Sequence, residues 1–471
     1  MSKPKFLTAP VASEKMPGGI PFIIGNEAAE RFSFYGMKAI LVAFMTKFLV
    51  DAAGNPAPMS DDNAKAYYPQ FVAAAYFFPL LGGPIADMFL GKYRTIIWLS
   101  IVYCLGHLAL ALDDTRLGLL AGLSLIALGT GAIKPCVSAH VGDQFGKSNA
   151  HKLEKVFGWF YVAINVGAFV SSLLTPWLLK EFPTWLKTNY PQFAPADPAA
   201  LSRLGPHVAF GVPGVLMLLA TLIFWLGRNR YVHVPPRGVP AVMSSLKGEG
   251  GKALLRLIPL YCFIAVFWAL YDQTGAAWVL QAEKMDRKWL GILWDESQVQ
   301  EINPALILAY VPLFSFVIFP TIQKFVNFKS MARVAVGLFL MVAAFGITAI
   351  AQDKLDAAHT VSIEWQLVAY LIITAAEVLV SVTCLEFSYT QAPVEVKSFI
   401  MAMYLASVGV GNEMTAIINK FIQNADGTSK LPGASYFWFF TWSMLVTAFL
   451  FLPIAYFYRE KAYIQEEQPS A

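Results

Sequence analysis

The sequence predicts an all-α membrane protein with twelve transmembrane helices in two six-helix halves. The 471-residue chain is 57% hydrophobic and only 14% charged, whereas soluble proteins of this size carry about 25% charged residues. Apolar runs of about 20 residues, the length that crosses a bilayer, recur along the whole chain. One long polar connection, residues 227–254, divides these runs six and six, as expected of a protein built from two related halves.

The twelve apolar runs can be placed one after another along the chain. They lie at about 20–50, 67–90, 94–112, 117–142, 155–179, 208–226, 255–280, 301–323, 331–351, 365–390, 398–420 and 435–458. Several exceed the thickness of the bilayer, so we expect those helices to tilt or to extend beyond it. The first run is too long and too charged to be a signal peptide.

The connection at 227–254 is rich in proline, arginine and glycine, a composition typical of a linker. We therefore expect an N-terminal six-helix bundle over 1–226, a cytoplasmic linker over 227–254, and a C-terminal six-helix bundle with a short cytoplasmic tail over 255–471. The predicted outer loops are short except at about 180–207, which is rich in proline and contains no spanning run.

The distribution of lysine and arginine predicts the orientation. If both termini are cytoplasmic, as an even number of spans requires, the inner segments hold clearly more of the 35 lysines and arginines than the outer segments, which agrees with the positive-inside rule. The predicted location is the plasma (inner) membrane. The net charge of +4 reflects this bias, so we expect membrane lipid as a partner and no nucleic acid.

The first predicted helix carries charges that need an explanation. Four charged side chains lie between residues 27 and 38 of its apolar run: Glu27, Glu30, Arg31 and Lys38. Each ionised side chain near the centre of a bilayer costs about 2.5 to 3.5 kcal/mol. At 100° per residue these four fall on one stripe with Phe34, and Glu27 and Arg31 are spaced i,i+4. Because the charges of this stripe sum to zero, we expect it to face a wet cavity or a partner helix.

The turn after the second predicted helix, residues 82–94, reads GGPIADMFLGKYR. It resembles the signature G-x-x-x-D-x-x-G-[RK]-x-[RK] of the major facilitator transporters. Its glycines permit close helix approach, and Asp87 can pair with Lys92 and Arg94 at the inner surface. The resemblance implies the major facilitator fold.

Further motifs make the resemblance more specific. Residues 27–36 (EAAERFSFYG) are similar to the E-x-x-E-R-F-x-Y-Y-G signature of the proton-coupled oligopeptide transporters, the POT or PTR family. Other stretches similar to motifs of that family are 129–145, Phe160–Gly167, Phe267–Gln273, Asn303–Pro304 and Glu377–Pro393. The chain departs from the family pattern at Phe34, where the family has tyrosine, and at Pro69, near the place of a histidine in animal members.

Lys134 lies within the fourth predicted helix and needs a counter-ion or a cavity. It can be a structural partner of the carboxylates in the first helix, tying two helices together. The family resemblance implies more: Lys134 pairs with Glu27 or Glu30 in one state and contacts a substrate carboxylate in another. Protonation of a glutamate then releases the lysine, which would couple proton and peptide.

Two acidic residues of the C-terminal half are further candidates. Glu377 lies near the centre of the tenth predicted helix with no charged residue within one turn. It can be a proton site, a ligand for a cation, or a neutral acid bonded to a neighbouring helix; the resemblance implies that it receives the amino terminus of a peptide. Asp272 is either an acid near the outer surface or, as the resemblance implies, a gate and proton-coupling carboxylate.

The candidate site residues fall into two groups. For proton coupling the candidates are Glu27, Glu30, Arg31, Lys134, Asp272 and Glu377. For substrate binding they are Tyr35, Lys38, Tyr76, Lys134, Tyr161, Asn165, Trp268, Asn303 and Glu377. Charged ends with aromatic walls suit ligands that share a backbone and vary in their side chains.

Four functions remain open from the sequence: a proton-coupled symporter of di- and tripeptides, a transporter of nitrate or another small organic anion on the same fold, a membrane enzyme, and a peptide sensor that does not transport. No HExxH or CxxC pattern occurs, and no nucleophile constellation points to an enzyme. We expect the symporter, because a central carboxylate at Glu377 suits an ammonium group. We expect no cofactor or metal other than the proton as coupling ion, and function as a monomer.

Overall fold

The computed structural model describes residues 6–59, 67–68, 71–72, 74–294, 298–422, 424 and 429–466. Long helices follow one another along the chain, and we number them in order. They are α1 Ile20–Lys47, α2 Ala74–Leu90, α3 Lys92–Leu112, α4 Arg116–Gly142, α5 Ala150–Lys180, α6 Pro198–Arg230, α7 Glu249–Glu283, α8 Val299–Gln323, α9 Ser330–Asp356, α10 Glu364–Gln391, α11 Val394–Ile422 and α12 Ala434–Phe457. Each corresponds to one of the runs predicted from hydropathy.

Ten of these helices, α3 to α12, are long and apolar enough to cross a membrane within the described part of the chain. Helix α1 has 28 residues but carries the charged stripe, so it falls short on composition rather than on length. Helix α2 is described only from Ala74, and the departure at Pro69 lies outside the described residues. The chain is therefore a multi-pass membrane protein.

The structure corrects the expected start of the sixth helix and adds detail to other connections. Helix α6 begins at Pro198 rather than near residue 208, because Asp197 caps its first turn by accepting hydrogen bonds from the Ala199 and Ala200 amides. This start lies inside the predicted 180–207 loop, which also contains the short helix Phe182–Asn189. The predicted linker is partly helical over Gly238–Lys247. A two-stranded hairpin, Lys288–Trp289 with Ile292–Leu293, follows α7.

Contacts divide the chain into two compact units. The first consists of Met1–Leu246 with Val394–Ala402 and Ile464–Ala471, and the second of Lys247–Pro393 with Met403–Tyr463. In the first unit α1 packs against α5 and α6, and α3 packs against α4 and α6. In the second, α9 packs against α10 and α12. The domain boundaries expected from the sequence stay a prediction.

The turn between α2 and α3 is fixed by a charged network in the first unit. The Lys92 ammonium lies 2.9 Å from an Asp143 carboxylate oxygen and 3.9 Å from Asp87. Asp87 also accepts a hydrogen bond from the Phe399 amide, 3.1 Å away, in the first turns of α11. Burial opposes ionisation of Asp143, but the charges of Lys92 and Lys397 hold the pKa of its carboxyl below its ordinary value.

Close packing beside this network depends on Gly83. A Cβ atom at this position would lie 2.7 Å from the Ser398 carbonyl oxygen, a distance that requires backbone to move. We expect Gly83→Ala to lower the free energy of unfolding by about 1 to 3 kcal/mol, the range for overpacking, measured by thermal unfolding in detergent. Gly25→Ala is the matched control: a Cβ there meets nothing within 4 Å, so its stability should stay equal or rise. Equal melting of both variants would contradict the packing argument.

Candidate substrate and proton sites

The charged stripe of α1 is buried in the first unit. Glu27 and Glu30 are fully buried and Arg31 is 7% exposed. The Arg31 guanidinium lies 2.7 Å from a Glu27 oxygen, as the i,i+4 spacing predicts, and 3.3 Å from Glu30. The Thr130 hydroxyl of α4 donates to the other Glu30 oxygen at 2.5 Å. Two carboxylates thus share one arginine, so with both carboxylates ionised this trio has one excess negative charge.

Lys134 points toward the same region from α4 but forms a different contact. Its ammonium lies 3.9 Å from the ring centroid of Phe34 and 5.2 Å from that of Tyr76, and the residue is 4% exposed. Among the described residues no carboxylate lies within ion-pair distance of it. A buried cation over an aromatic face gains roughly 2 kcal/mol. The departure at Phe34 therefore supplies the surface that holds the lysine in this structure.

The other candidates of the first unit lie on α1 and α5. Tyr35 packs edge-on against Phe34, with the ring centroids 5.6 Å apart, and the Lys38 ammonium lies 6.0 Å from the Tyr68 ring. Tyr161 and Asn165 share a face of α5, as their spacing predicts. The Asn165 amide donates to the Tyr161 carbonyl at 2.9 Å, which uses one of its two N–H donors and leaves the other donor and the acceptor oxygen.

The second unit contains a network around Glu377. One Glu377 oxygen accepts hydrogen bonds from the Tyr271 hydroxyl at 2.8 Å and from the Asn303 amide at 2.7 Å. Tyr271 also lies 2.9 Å from the Asn303 oxygen, and the Asn303 amide donates to Thr374 at 2.9 Å. Side chains of α7, α8 and α10 therefore converge on one carboxyl group, which is 3% exposed.

Trp268 and Asp272 flank this network on α7. The Trp268 ring packs edge-on against Tyr271, with the centroids 5.0 Å apart. Asp272 lies where the α-helical part of α7 ends, at Tyr271, and a 3₁₀ turn begins. A π-helical segment, Val378–Val382, follows Glu377 directly; such segments often mark functional sites.

The structure brings some of the predicted residues together and adds three that the sequence argument missed. Glu27, Glu30 and Arg31 form one cluster near Lys134, and Asn303 and Glu377 form another. The missed residues are Tyr271, Thr374 and Thr130. Tyr271 lies one turn from Trp268 within the quoted motif, so helical spacing was a usable signal for it. The two threonines have no comparable signal, since their partners are distant in sequence.

A model of the POT family matches residues 93–248 and 239–439 of this chain. The chain belongs to this family of proton-coupled oligopeptide transporters. Human solute carrier family 15 member 2 is 36% identical over an alignment of 391 positions, which covers 74% of this chain and 50% of the relative. Peptide transporter family 1 of Drosophila melanogaster is 34% identical over 73% of this chain and 48% of the relative. The chain thus spans about half the length of the curated relatives it matches.

Solved structures of the family resemble the whole chain. The crystal structure of an auto-inhibited POT family peptide transporter is 33% identical with a TM-score of 0.68, over 95% of this chain and 98% of the other. The transporter PepTSo is 32% identical with the same TM-score, over 94% and 98%. The all-α major facilitator fold of twelve transmembrane helices in two six-helix halves, expected from the sequence, is thereby confirmed.

Proposed function

We propose that this chain is a proton-coupled symporter that imports di- and tripeptides by alternating access. One observation carries the proposal: Lys134 is buried beside the Glu27–Glu30–Arg31 cluster, yet its ammonium rests on an aromatic ring. Arg31 already serves the two carboxylates, so Lys134 remains a cation for an anionic group of a ligand. The family membership and the peptide transporters among the relatives support this function.

The coupling follows from the charges. With Lys134 and Lys38 included, the stripe and its partner hold one excess positive charge, which a peptide carboxylate would neutralise. In a state in which Lys134 pairs with Glu27 or Glu30, a proton on that glutamate releases the lysine for the substrate. Loss of the proton reverses the exchange, because the carboxylate and the substrate compete for the same cation.

The two termini of a peptide match the two groups of candidates. We propose that Lys38 and Lys134 bind the carboxylate and that Glu377 binds the amine. Tyr271 and Asn303 would hold the Glu377 carboxylate in position, since both donate to one of its oxygens. Asp272 is proposed as a gate carboxylate, with Tyr35, Tyr76, Tyr161, Asn165 and Trp268 as the remaining walls of the site.

Alternating access would occur by rocking of residues 1–226 against 255–458, with the 227–254 connection as the linker. A ligand that contacts both halves favours closure, since it loses contacts when they separate.

Spin labels test this motion. We expect labels at Leu117 and Leu293, both exposed, to change their separation when dialanine and low pH are applied together to a variant whose native cysteines are replaced. An unchanged distance distribution in a preparation that transports would contradict the rocking model.

The proposal also covers the orientation, the membrane and the oligomeric state of the protein. We propose that both termini are cytoplasmic, that the protein lies in the plasma (inner) membrane, that it functions as a monomer, and that it has no enzymatic activity. The proton is the coupling ion, and we propose no cofactor.

Uptake of labelled dialanine into proteoliposomes tests the proposal. With an inward proton gradient we expect dialanine to accumulate above its external concentration; without the gradient it should only equilibrate. Labelled nitrate, the substrate of the alternative anion transporter, should not accumulate. Nitrate accumulation without dialanine accumulation would replace the peptide function with the anion function.

A further inference from the structure

Helix α3 carries a stripe of buried polar residues that the coupling scheme does not use. Ser100, Tyr103 and His107 are all fully buried. The Ser100 and Tyr103 hydroxyls and both His107 ring nitrogens lack a hydrogen-bond partner among the described residues. A buried polar group without a partner costs about 1 to 3 kcal/mol, so stability does not account for three on one helix face. Such groups are usually satisfied by ordered water.

One end of this stripe reaches the Glu30 carboxylate. Tyr103 lies against Gly129 of α4: a Cβ atom on Gly129 would come 2.8 Å from the Tyr103 Cβ. The next residue of α4, Thr130, donates its hydroxyl to Glu30. The charges of Glu30 and Arg31 act on the Tyr103 hydroxyl. The tyrosine therefore lies beside the proposed proton-coupling cluster, behind α1.

The middle of the stripe is His107. Its ring packs edge-on against the Tyr103 ring, with the centroids 5.0 Å apart. Helix α6 covers the other side, where a Cβ atom on Gly214 would lie 2.9 Å from the His107 Cβ. The Phe210 backbone of α6 also acts on the ring, although neither His107 nitrogen reaches hydrogen-bond geometry with it. Tyr103 and His107 are spaced i,i+4, so they share one face of α3.

The other end of the stripe reaches the surface. One further turn along α3, the Ala111 carbonyl oxygen lies 2.5 Å from His207 Nδ1. The second His207 nitrogen lies 3.6 Å from Asp114, and the His207 side chain is 36% exposed. Burial raises the pKa of the Asp114 carboxyl above its ordinary value, while His207 and Arg203 oppose that shift. Tyr103 to Ala111 spans about 12 Å along the helix axis.

Few charged side chains act on His107. Helix α3 packs against α4 and α6. Titratable groups of these elements include Cys104 on α3 and His207 and Arg203 on α6, with Glu30 of α1 beyond Tyr103. Others lie further along the same helices: Lys92, Tyr93 and Arg94 on α3, Lys134, Cys136 and His140 on α4, and Arg228 and Arg230 on α6. Arg116, which begins α4, is exposed. No ionised side chain of the described residues acts on the His107 ring directly, so nothing there stabilises a lasting imidazolium, and a proton taken up by the ring must pass on.

We propose that Asp114, His207, His107 and Tyr103 form a proton path that leads from the outer end of α3 to Glu30 through the first six-helix bundle. The inference rests on the proposed proton coupling and on the proposed orientation. A proton taken up from outside by Asp114 and His207 passes through water to one His107 ring nitrogen, and the ring releases the proton of its other nitrogen. Tyr103 accepts that proton, through water, while its own hydroxyl proton passes to the Glu30 carboxylate. The net change is one proton taken from outside and one proton bound at Glu30.

Two variants in proteoliposomes test the path. His107→Gln keeps a polar side chain that does not titrate, and Tyr103→Phe removes only an unpartnered hydroxyl, so its packing should hold. For both we expect dialanine accumulation driven by a proton gradient to slow at least tenfold, while exchange of internal for external dialanine at equal pH stays within twofold of wild type. His359→Gln, at an exposed histidine, is the control and should match wild type in both assays.

Each outcome of these assays either supports or overturns the proposed proton path. If Tyr103→Phe accumulates dialanine at the wild-type rate and with the wild-type dependence on pH, the proposed path is overturned while the proposed symport stays intact. A parallel loss of accumulation and exchange in Tyr103→Phe would also overturn it, since that result indicates a structural role. If His107→Gln fails to fold, Tyr103→Phe alone decides. Absence of gradient-driven accumulation in the wild type would be the failure of the proposed function itself, and the path would fall with it.

Discussion

Lys134→Ala is expected to abolish dialanine accumulation driven by a proton gradient. The side chain is 4% exposed and lies over Phe34, next to but not paired with the α1 carboxylates. Its removal takes away the cation for which a substrate carboxylate and a deprotonated glutamate would compete. Because both proposed roles depend on that one charge, we expect the loss to be complete rather than partial. Uptake into proteoliposomes with an inward proton gradient measures it.

Lys420→Ala serves as the matched control for this variant. Lys420 is an exposed lysine near the end of α11, so its replacement removes one positive charge from the protein without touching the cluster. We expect this control to accumulate dialanine as wild type does. Full accumulation by Lys134→Ala at a wild-type rate would show that the lysine is only a structural contact of Phe34 and Tyr76.

Glu377→Gln should remove the preference for a free peptide amine. The Tyr271 hydroxyl and the Asn303 amide can still donate to the oxygen of the glutamine amide, so the network should hold while the negative charge is lost. A hydrogen bond to a charged group contributes about 1.5 to 3 kcal/mol, which corresponds to roughly 10- to 150-fold in affinity. We expect free dialanine to compete that much more weakly, and N-acetylated dialanine to compete as it does against wild type.

Comparing free with N-acetylated dialanine separates the effect of the Glu377 charge from other effects of the substitution. Glu364→Gln, at an exposed glutamate in the first turn of the same helix, should leave both affinities unchanged. If free and N-acetylated dialanine compete equally against the wild type, the assignment of the amine to Glu377 is wrong.

Much of the architecture could be predicted because the bilayer restricts what a chain can do. Each apolar run of about 20 residues must become a helix, since no other open structure satisfies its backbone in lipid. Local spacing predicted the Glu27–Arg31 ion pair and the shared face of Tyr161 and Asn165 as well, because i,i+4 neighbours meet on any helix.

Contacts between distant segments could not be predicted in the same way. Thr130 and Glu30 are 100 residues apart, and nothing in local periodicity indicates that α4 places a hydroxyl beside that carboxylate. Lys134 was expected to pair with Glu27 or Glu30 in one state. In this structure its ammonium lies over an aromatic ring, and the cation in contact with both carboxylates is Arg31.

The π-helical segment after Glu377 limits helical-wheel arguments in another way. Regular spacing places Glu386, nine residues on, about 180° from Glu377. The segment Val378–Val382 winds more loosely than an α-helix, so the true angle differs from that estimate. No residue in this stretch is a proline or a glycine that would have signalled the change.

The central claim is that peptide and proton cross the membrane together. The most direct measurement loads proteoliposomes with a pH-sensitive dye at equal internal and external pH, clamps the membrane potential near zero, and adds dialanine outside. We expect acidification of the interior that follows dialanine uptake and is absent in Lys134→Ala. Dialanine uptake by the wild-type protein with no change in internal pH would contradict it.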